Sequence, residues 1–364
     1  MPAASLTTEA GLKAYLATKN ITPTSITLLT GGTANYVYRV TLADGSTSIY
    51  KHAAPYLHMN TNFAFDPTRM DYEDRTLEIL PSLQKTDSNV QAAKWYSYDK
   101  EEKLLCIEDG GEWNLKTAYP DPKLDVEQIG RDLARWLAGL HTTSTTTSLS
   151  LTDEQDLKAN NPVGVGIYRH SYRNLHTALS KYGHDPKFAE RIDEEFGSKL
   201  ATDNECVCHG DFWPGNVLVK FEDSEEAKVN LTVVDLEMVR RGTSATDVAQ
   251  FVAEAFLLDR FRGGRGLHPV FLNTYARARE TAEAEGGIRI GREWIKRVAI
   301  HWGVHIAFWP TGVQWTDREG TQNLVDIGIA VLQAAIAEDW RKLRETHLFV
   351  GVADVWTALW DRGY

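Results

Sequence analysis

Apolar residues recur along the chain in two registers, and the change from one to the other divides it. From Thr8 to Lys19, Leu12, Tyr15 and Leu16 stand at helical spacing behind threonine caps, which predicts a short amphipathic helix. The pattern then alternates. Ile26–Leu29, Tyr36–Leu42 and Ser46–Lys51 are rich in β-branched and aromatic residues and are separated by Gly31-Gly32 and by Asp44-Gly45, a strong hairpin turn. An antiparallel meander follows. Arg69 to Leu80 reads as a helix that stops before Pro81, because proline has no N–H for the helical ladder. Lys94–Tyr98 and Lys103–Glu108 read as a second hairpin across Asp99–Glu102.

After Glu108-Asp109-Gly110-Gly111 the period lengthens to that of long helices. Asp125–His141 carries Leu133, Trp136, Leu137 and Leu140 on one face, and further helices are predicted over 246–261, 268–286, 291–309 and 320–345. Thr142–Thr152 is Thr/Ser-rich and reads as a solvated connection, and there is no internal repeat. Near the end, Val355, Trp356, Leu359 and Trp360 form an apolar stripe that suits a docked helix or an interface. The expectation is an α+β, bilobal, protein-kinase-like fold: a β-rich N-lobe over 1–110 with one helix, and a mostly helical C-lobe over 111–364. Chemistry belongs between such lobes.

Composition narrows the partners. With 364 residues and 43% hydrophobic content the chain can bury two substantial cores. A formal charge of −11 argues against nucleic acid, which needs a basic surface, and against anionic membranes. Cys106, Cys206 and Cys208 form no disulfide framework, so a reducing compartment is expected. The opening Met1-Pro2-Ala3-Ala4-Ser5 lacks a basic region followed by an apolar core, and no apolar run approaches the ~18–20 residues that span a bilayer. A cytoplasmic protein is expected.

The chemistry concentrates in His209-Gly210-Asp211-Phe212-Trp213-Pro214-Gly215-Asn216, followed by Val233-Val234-Asp235-Leu236-Glu237. A carboxylate and a carboxamide five residues apart, with a second carboxylate on a returning strand, suit phosphoryl transfer from ATP. One aspartate accepts the proton of the attacking hydroxyl, while the asparagine and the later aspartate hold Mg2+. Pro214-Gly215-Asn216 alone could be an ordinary turn. Val217–Val219 and Leu231–Val234 read as a hairpin that returns Asp235 to the loop. Glu237 either joins this site, for metal or co-substrate, or pairs with Arg240 or Arg241.

In the N-lobe, Lys51 ends a strand of uncharged residues, where an unpaired lysine would be costly; ATP phosphates and Glu73, with Glu78 as the fallback, supply its partners. Gly31, Gly32, Thr33 and Asn35 lie between two strands, as a phosphate-covering loop does, although an ordinary hairpin has the same pattern. Cys206, Cys208 and His209 are too few and too close for a closed zinc site. Asp247 reads as support at a helix start, and the aromatic run from His301 to Trp309 as core or pocket wall.

These residues resemble the aminoglycoside phosphotransferase and choline kinase superfamily over nearly the whole chain. Leu29 to Val40 and Lys51-His52-Ala53-Ala54-Pro55-Tyr56 are most similar to its methylthioribose-kinase-like branch, to which fungal hydroxytryptamine kinases are also similar. The resemblance implies that Lys51 holds the α- and β-phosphates, Glu73 orients Lys51, and Asp211 is the catalytic base. It further implies that Asn216 and Asp235 bind magnesium and that Glu108, Asp109 and Gly110 form the adenine-contacting hinge. Leu236-Glu237 replaces the Phe-Gly of protein kinases, and His209-Gly210-Asp211 their His-Arg-Asp.

The expectation is therefore an ATP-dependent kinase acting on a hydroxyl of a small metabolite. A protein kinase is disfavoured, because little chain separates Asp235 from the helix near Thr246 and no A-P-E motif follows. A choline- or aminoglycoside-type phosphotransferase and a non-catalytic ATP-binding protein are the alternatives. Methylthioribose-like sugars, hydroxylated arylalkylamines and amino alcohols all remain as acceptors. Trp213, Trp302, Trp309 and Trp315 suit a flat aromatic amine, with Glu237 or Asp259 as counter-ion, and equally suit a packed core.

Overall fold

The computed structural model describes residues 5–84, 88–221, 229–352, 356 and 359–360. The chain opens with α1 (Glu9–Thr18), whose first turn is closed by Thr8 Oγ1 accepting from the Gly11 amide at 3.1 Å. The meander follows as β1 (Ser25–Leu28), β2 (Tyr36–Thr41) and β3 (Thr47–His52). A small hairpin of β4 (Tyr56–Leu57) and β5 (Asn60–Ala64), unpredicted because its exposed residues carry no alternation, precedes α2 (Arg69–Leu83). Then come β6 (Val90–Ala92), β7 (Trp95–Asp99) and β8 (Leu104–Glu108).

Five strands form one antiparallel sheet in the order β1-β2-β3-β8-β7. Side-chain alternation splits its residues between two cores. Tyr50, Leu104 and Cys106 pack with Leu12 and Leu16 of α1, whereas Ile49, Leu105 and Ile107 pack with Met70 and Leu77 of α2. Lys51, two residues from Ile49, therefore faces α2. That helix runs through Pro81 rather than stopping before it. Proline removes one hydrogen bond, and in the final turn only one turn of helix is left to lose it.

The C-lobe begins with β9 (Trp113–Asn114) and α3 (Leu115–Ala118), and α4 (Val126–Thr143) is capped by Asp125, which accepts from the Gln128 amide at 2.9 Å. Three unpredicted helices follow: α5 (Pro162–Tyr168), α6 (His170–Lys181) and α7 (Pro186–Ile192). The central segment is β10 (Cys206–Cys208), β11 (Val217–Phe221), β12 (Val229–Val233) and β13 (Arg240–Gly242). The lobe closes with α8 (Ser244–Arg262), α9 (Leu267–Ala284), α10 (Arg292–Phe308), α11 (Arg318–Ile336) and α12 (Trp340–Arg344). The helix predicted over 320–345 is thus two, broken where Glu338 turns to φ 51°. Of the closing stripe, Trp356, Leu359 and Trp360 are buried, and Val355 lies outside the described residues.

The lobes share a sheet. In the order β6-β12-β11-β9, β6 precedes Gly110 in sequence yet pairs in parallel with β12. Between β8 and β9, Arg39 of the meander donates to Asp109 at 2.6 Å and 3.0 Å. Gly110 is required there, since a Cβ would stand 2.9 Å from Leu218 and Thr232 side-chain atoms. Among the described residues no helix is long and apolar enough to cross a membrane.

Candidate active site

The loop after β10 is held from below by one buried carboxylate. Asp247, in the first turn of α8, accepts from the His209 amide at 2.6 Å and the Gly210 amide at 3.1 Å, and His141 Nε2 lies 3.2 Å from the same carboxylate. The expected service to its own helix start is done instead by Thr243, which accepts from the Ala245 amide. Burial works against ionisation of Asp247, but the His141 hydrogen bond and charge hold its pKa down at about 2. Gly210 sits at φ 83°, and a Cβ there would lie 1.8 Å from the Met238 carbonyl oxygen. His209 Nε2 stands 3.2 Å from the Val234 carbonyl, and its Nδ1 accepts from the Asp211 amide at 3.2 Å. The loop is fixed on both sides.

So positioned, Asp211 meets two amides. Gln250 Nε2 donates to Oδ1 at 2.6 Å and Asn216 Nδ2 donates to Oδ2 at 2.9 Å. Burial, with the charge of Asp235 nearby, nevertheless raises Asp211 to about 7. A carboxylate of that basicity is matched to proton acceptance near neutral pH. The Asn216 amide nitrogen is spent on Asp211, which turns its carbonyl oxygen away from that carboxylate.

The β11–β12 hairpin returns the second carboxylate, as its pattern predicts. Val217 pairs with Val233, and the Val234 amide donates to the Asn216 carbonyl at 3.0 Å, tying the two motifs together. Asp235 then takes the left-handed conformation at φ 70°, a sparsely populated region that collects at functional sites. Its side chain is 34% exposed and bonds Lys51, whose ammonium also donates to Glu73 at 2.7 Å. Burial opposes the charge of Lys51, but Asp235, Glu73 and Glu237 hold it above the usual lysine range. Burial opposes Asp235 too, yet the Lys51 ammonium keeps it below the usual carboxylate range. Glu73 is raised by burial to about 7 despite Lys51. Glu78, the fallback partner, faces Arg75 at 3.8 Å.

Glu237 pairs with neither Arg240 nor Arg241. Its buried carboxylate accepts from Arg69 Nε at 3.0 Å and Asn35 Nδ2 at 2.7 Å, while Arg69 Nη2 donates to Asn35 Oδ1 at 2.9 Å. Arg240 instead donates to Thr246 at 2.7 Å and lies over the Tyr168 ring. The Asn35 amide, expected in the phosphate loop, is thereby committed to a closed triangle that joins the residue before β2, α2 and the turn after Asp235. Gly31 and Gly32 stand in open space, and Thr33 accepts from the Met59 amide at 3.1 Å. Glu108 accepts from the Lys94 amide at 3.2 Å, and Asp109 is paired with Arg39.

The predicted acceptor residues separate. Trp213 and Trp315 do present faces to a cation, but it is Lys116, 4.9 Å and 4.6 Å from the two ring centres. Trp309 is 39% exposed beside His305. Trp302 has 0% exposure and packs edge-on against Phe256, so it is core. Asp259 is no free counter-ion: it bonds Tyr119 and accepts from the Gly266, Leu267 and His268 amides at 2.8, 3.1 and 2.9 Å, capping α9. The sequence reading missed Gln250 and Glu254. Their signal was present: polar residues four apart inside Val248–Leu258, a run otherwise apolar, of which α8 buries every residue.

The nearby His141, Cys206 and Cys208 come close enough to hold a metal, but both His141 nitrogens already have partners, Tyr275 at 2.8 Å and Asp247. Hydrogen bonding accounts for that cluster.

Comparison with known proteins bears on this geometry. Residues 25–292 match the phosphotransferase enzyme family. The chain is 26% identical to a 4-hydroxytryptamine kinase of Psilocybe cyanescens, over 95% of this chain and 97% of that protein. It is 25% identical to a 4-hydroxytryptamine kinase of Psilocybe cubensis, over 91% and 93% respectively. Among solved structures, choline kinase from Cryptosporidium parvum Iowa II superposes with a TM-score of 0.54 at 14% identity, covering 94% of this chain and 100% of that one. Plasmodium vivax ethanolamine kinase gives 0.52 at 14%, covering 92% and 91%. These two likenesses show the fold.

Proposed function

The chain belongs to the phosphotransferase enzyme family and is a small-molecule kinase; from that premise we propose that it moves the γ-phosphoryl group of Mg-ATP to the ring hydroxyl of a hydroxylated arylalkylamine. The observation that carries the chemistry is Asp211, raised to about 7 and clamped by Gln250 and Asn216, across from the Lys51–Glu73–Asp235 cluster. The relatives named as 4-hydroxytryptamine kinases direct the choice of acceptor.

In this reading Lys51 lies against the donor phosphates, with Glu73 fixing its ammonium. Asp211 accepts the hydroxyl proton as the acceptor oxygen bonds to phosphorus, while the bond from phosphorus to the bridging oxygen breaks and ADP departs. Gln250 and Asn216 hold the carboxylate so that one oxygen edge meets that hydroxyl. Asp235 and the Asn216 carbonyl offer hard oxygen donors, which fit magnesium better than a soft metal. Bound there, magnesium would neutralise charge on the phosphates. Glu237 stands close to Asp235, but Arg69 and Asn35 engage it, so its part is to brace the turn. The Glu108–Gly110 segment serves as the adenine-contacting hinge.

An ADP-release assay with a methylthioribose, a hydroxytryptamine and an amino alcohol tests the acceptor class. Turnover is expected with the hydroxytryptamine; turnover confined to the sugar or the amino alcohol would replace this acceptor.

A further inference from the structure

Residues 109–112 carry the chain from β8 to β9, and one side chain of the N-lobe grips three of these four. Arg39 Nε and Nη2 donate to the two Asp109 carboxylate oxygens at 2.6 and 3.0 Å. Nη2 also donates to the Gly111 carbonyl at 3.0 Å, and Nη1 donates to Glu112 at 3.4 Å. Asp109 Oδ1 in turn accepts from the Gly111 amide at 3.1 Å. The remaining residue, Gly110, is walled in by Leu218 and Thr232. The Arg39 and Asp109 side chains are only 20% and 8% exposed, so this two-pronged pair is held in one geometry, unlike an ion pair in open solvent. Burial opposes the charge of Asp109, yet Arg39 holds its pKa below the usual carboxylate range.

Arg39 also shares a sheet face with Lys51. Val37 lies opposite Lys51 and Arg39 opposite Ile49 in the β2–β3 register, and directly opposed residues point to the same side. Ile49 in turn pairs with Ile107, so β8 delivers Glu108 to the end of the face on which Arg39 stands. Arg39 is two residues beyond the row that holds Lys51, or about 7 Å along the strand. A nucleotide with its phosphates on Lys51 would therefore lie along Val37 and Ile49 with its base toward 108–110. We propose that Arg39 is a positioning residue for the nucleotide base: by fixing residues 109–112 it holds the peptide groups of Glu108–Gly110 where they meet the edge of adenine. Its four bonds go elsewhere than to the Glu108 carbonyl and the Gly110 amide, a backbone acceptor and donor that suit a base edge. The planar fork is what the task needs, because a lysine ammonium at this place is a point charge that cannot span the same set of partners.

The inference rests on the reading of Glu108–Gly110 as the adenine-contacting segment, and binding separates the two. ADP and inorganic pyrophosphate, which has no base, are titrated by calorimetry in the presence of magnesium into wild type, Arg39→Met and Gly110→Ala. Wild type is expected to bind ADP more tightly than pyrophosphate. Arg39→Met should lose roughly 5- to 30-fold of that preference, the cost of ordering one freed residue on binding, while its pyrophosphate affinity holds. Gly110→Ala should lose the preference too, because its added Cβ would stand 2.9 Å from Leu218 and Thr232 atoms and must displace the segment. A preference kept in Arg39→Met but lost in Gly110→Ala overturns the role of Arg39 and leaves the adenine segment standing. A preference kept in both variants overturns the adenine segment itself. Equal weakening of ADP and pyrophosphate in Arg39→Met shows that Arg39 only maintains the fold, and also overturns the proposal. If Arg39→Met fails to fold, Arg39→Lys, which keeps the charge and loses the fork, is expected to show the same selective loss, and a full ADP preference there overturns the proposal.

Discussion

Replacing Asp247 by asparagine removes one charge and no volume, yet it strikes the part on which the catalytic loop rests. The carboxylate is fully buried and accepts from the His209 and Gly210 amides at 2.6 and 3.1 Å, with His141 at 3.2 Å. Its pKa of about 2, against 3.8 for the free group, corresponds to about 2 kcal/mol of stability at 1.36 kcal/mol per unit. Because the folded pKa is depressed, this contribution is present above the unfolded value and is lost as pH falls through the folded one. Asparagine has one acceptor oxygen for three donors, so its own N–H2 faces an amide that is left unpaired, at a further ~1–3 kcal/mol. The two effects overlap, and a total of about 2–4 kcal/mol is expected, or roughly 5–12 °C in melting temperature. Turnover, measured well below the melt, should fall about 100-fold, because Asp211 follows the two released amides directly. Wild-type melting and turnover in Asp247→Asn would refute the claim that this carboxylate holds the loop.

Two further substitutions address Asp211, the proposed base. Asp211→Asn should lose ~10²–10⁴ in kcat while keeping its fold. Its buried carboxyl is raised to about 7, so its ionisation opposes folding from about pH 4 upward; the melting difference between variant and wild type should therefore move in the variant's favour between about pH 5 and pH 8, and a difference that does not move would contradict the raised pKa. Gln250→Leu removes a hydrogen bond that favours the carboxylate, so the acid limb of kcat/KM should move to higher pH; a limb that stays in place would show that Gln250 does not set the basicity of Asp211.

Much of this site is legible in the chain because its parts are local. Asp211 and Asn216 share one loop, Asp235 returns on the hairpin joined to it, and the alternation of β3 turns Lys51 toward α2 and Glu73. What the sequence does not carry is which long-range partner wins. Glu237 has two arginines within four residues of it, but the fold brings Arg69, 168 positions away, to its carboxylate. Asp259 looks free until the turn after α8 wraps three amides around it. Lys116 lies far from Trp213 and Trp315 in sequence, and no periodicity places it between them. In the fold, Pro81 is absorbed by the last turn of α2, and the helix predicted over 320–345 breaks at Glu338. Both depend on local geometry that hydrophobic spacing does not encode.

The central claim is transfer of phosphorus from ATP to a hydroxyl under the control of Asp211, and 31P NMR of a single reaction mixture reads it most directly. With magnesium, ATP and 4-hydroxytryptamine, wild type should build up one aryl phosphate monoester signal in step with ADP, and Asp211→Asn should not. Free phosphate as the sole product, a signal from phosphorus on nitrogen, or an undiminished monoester in Asp211→Asn would contradict the account.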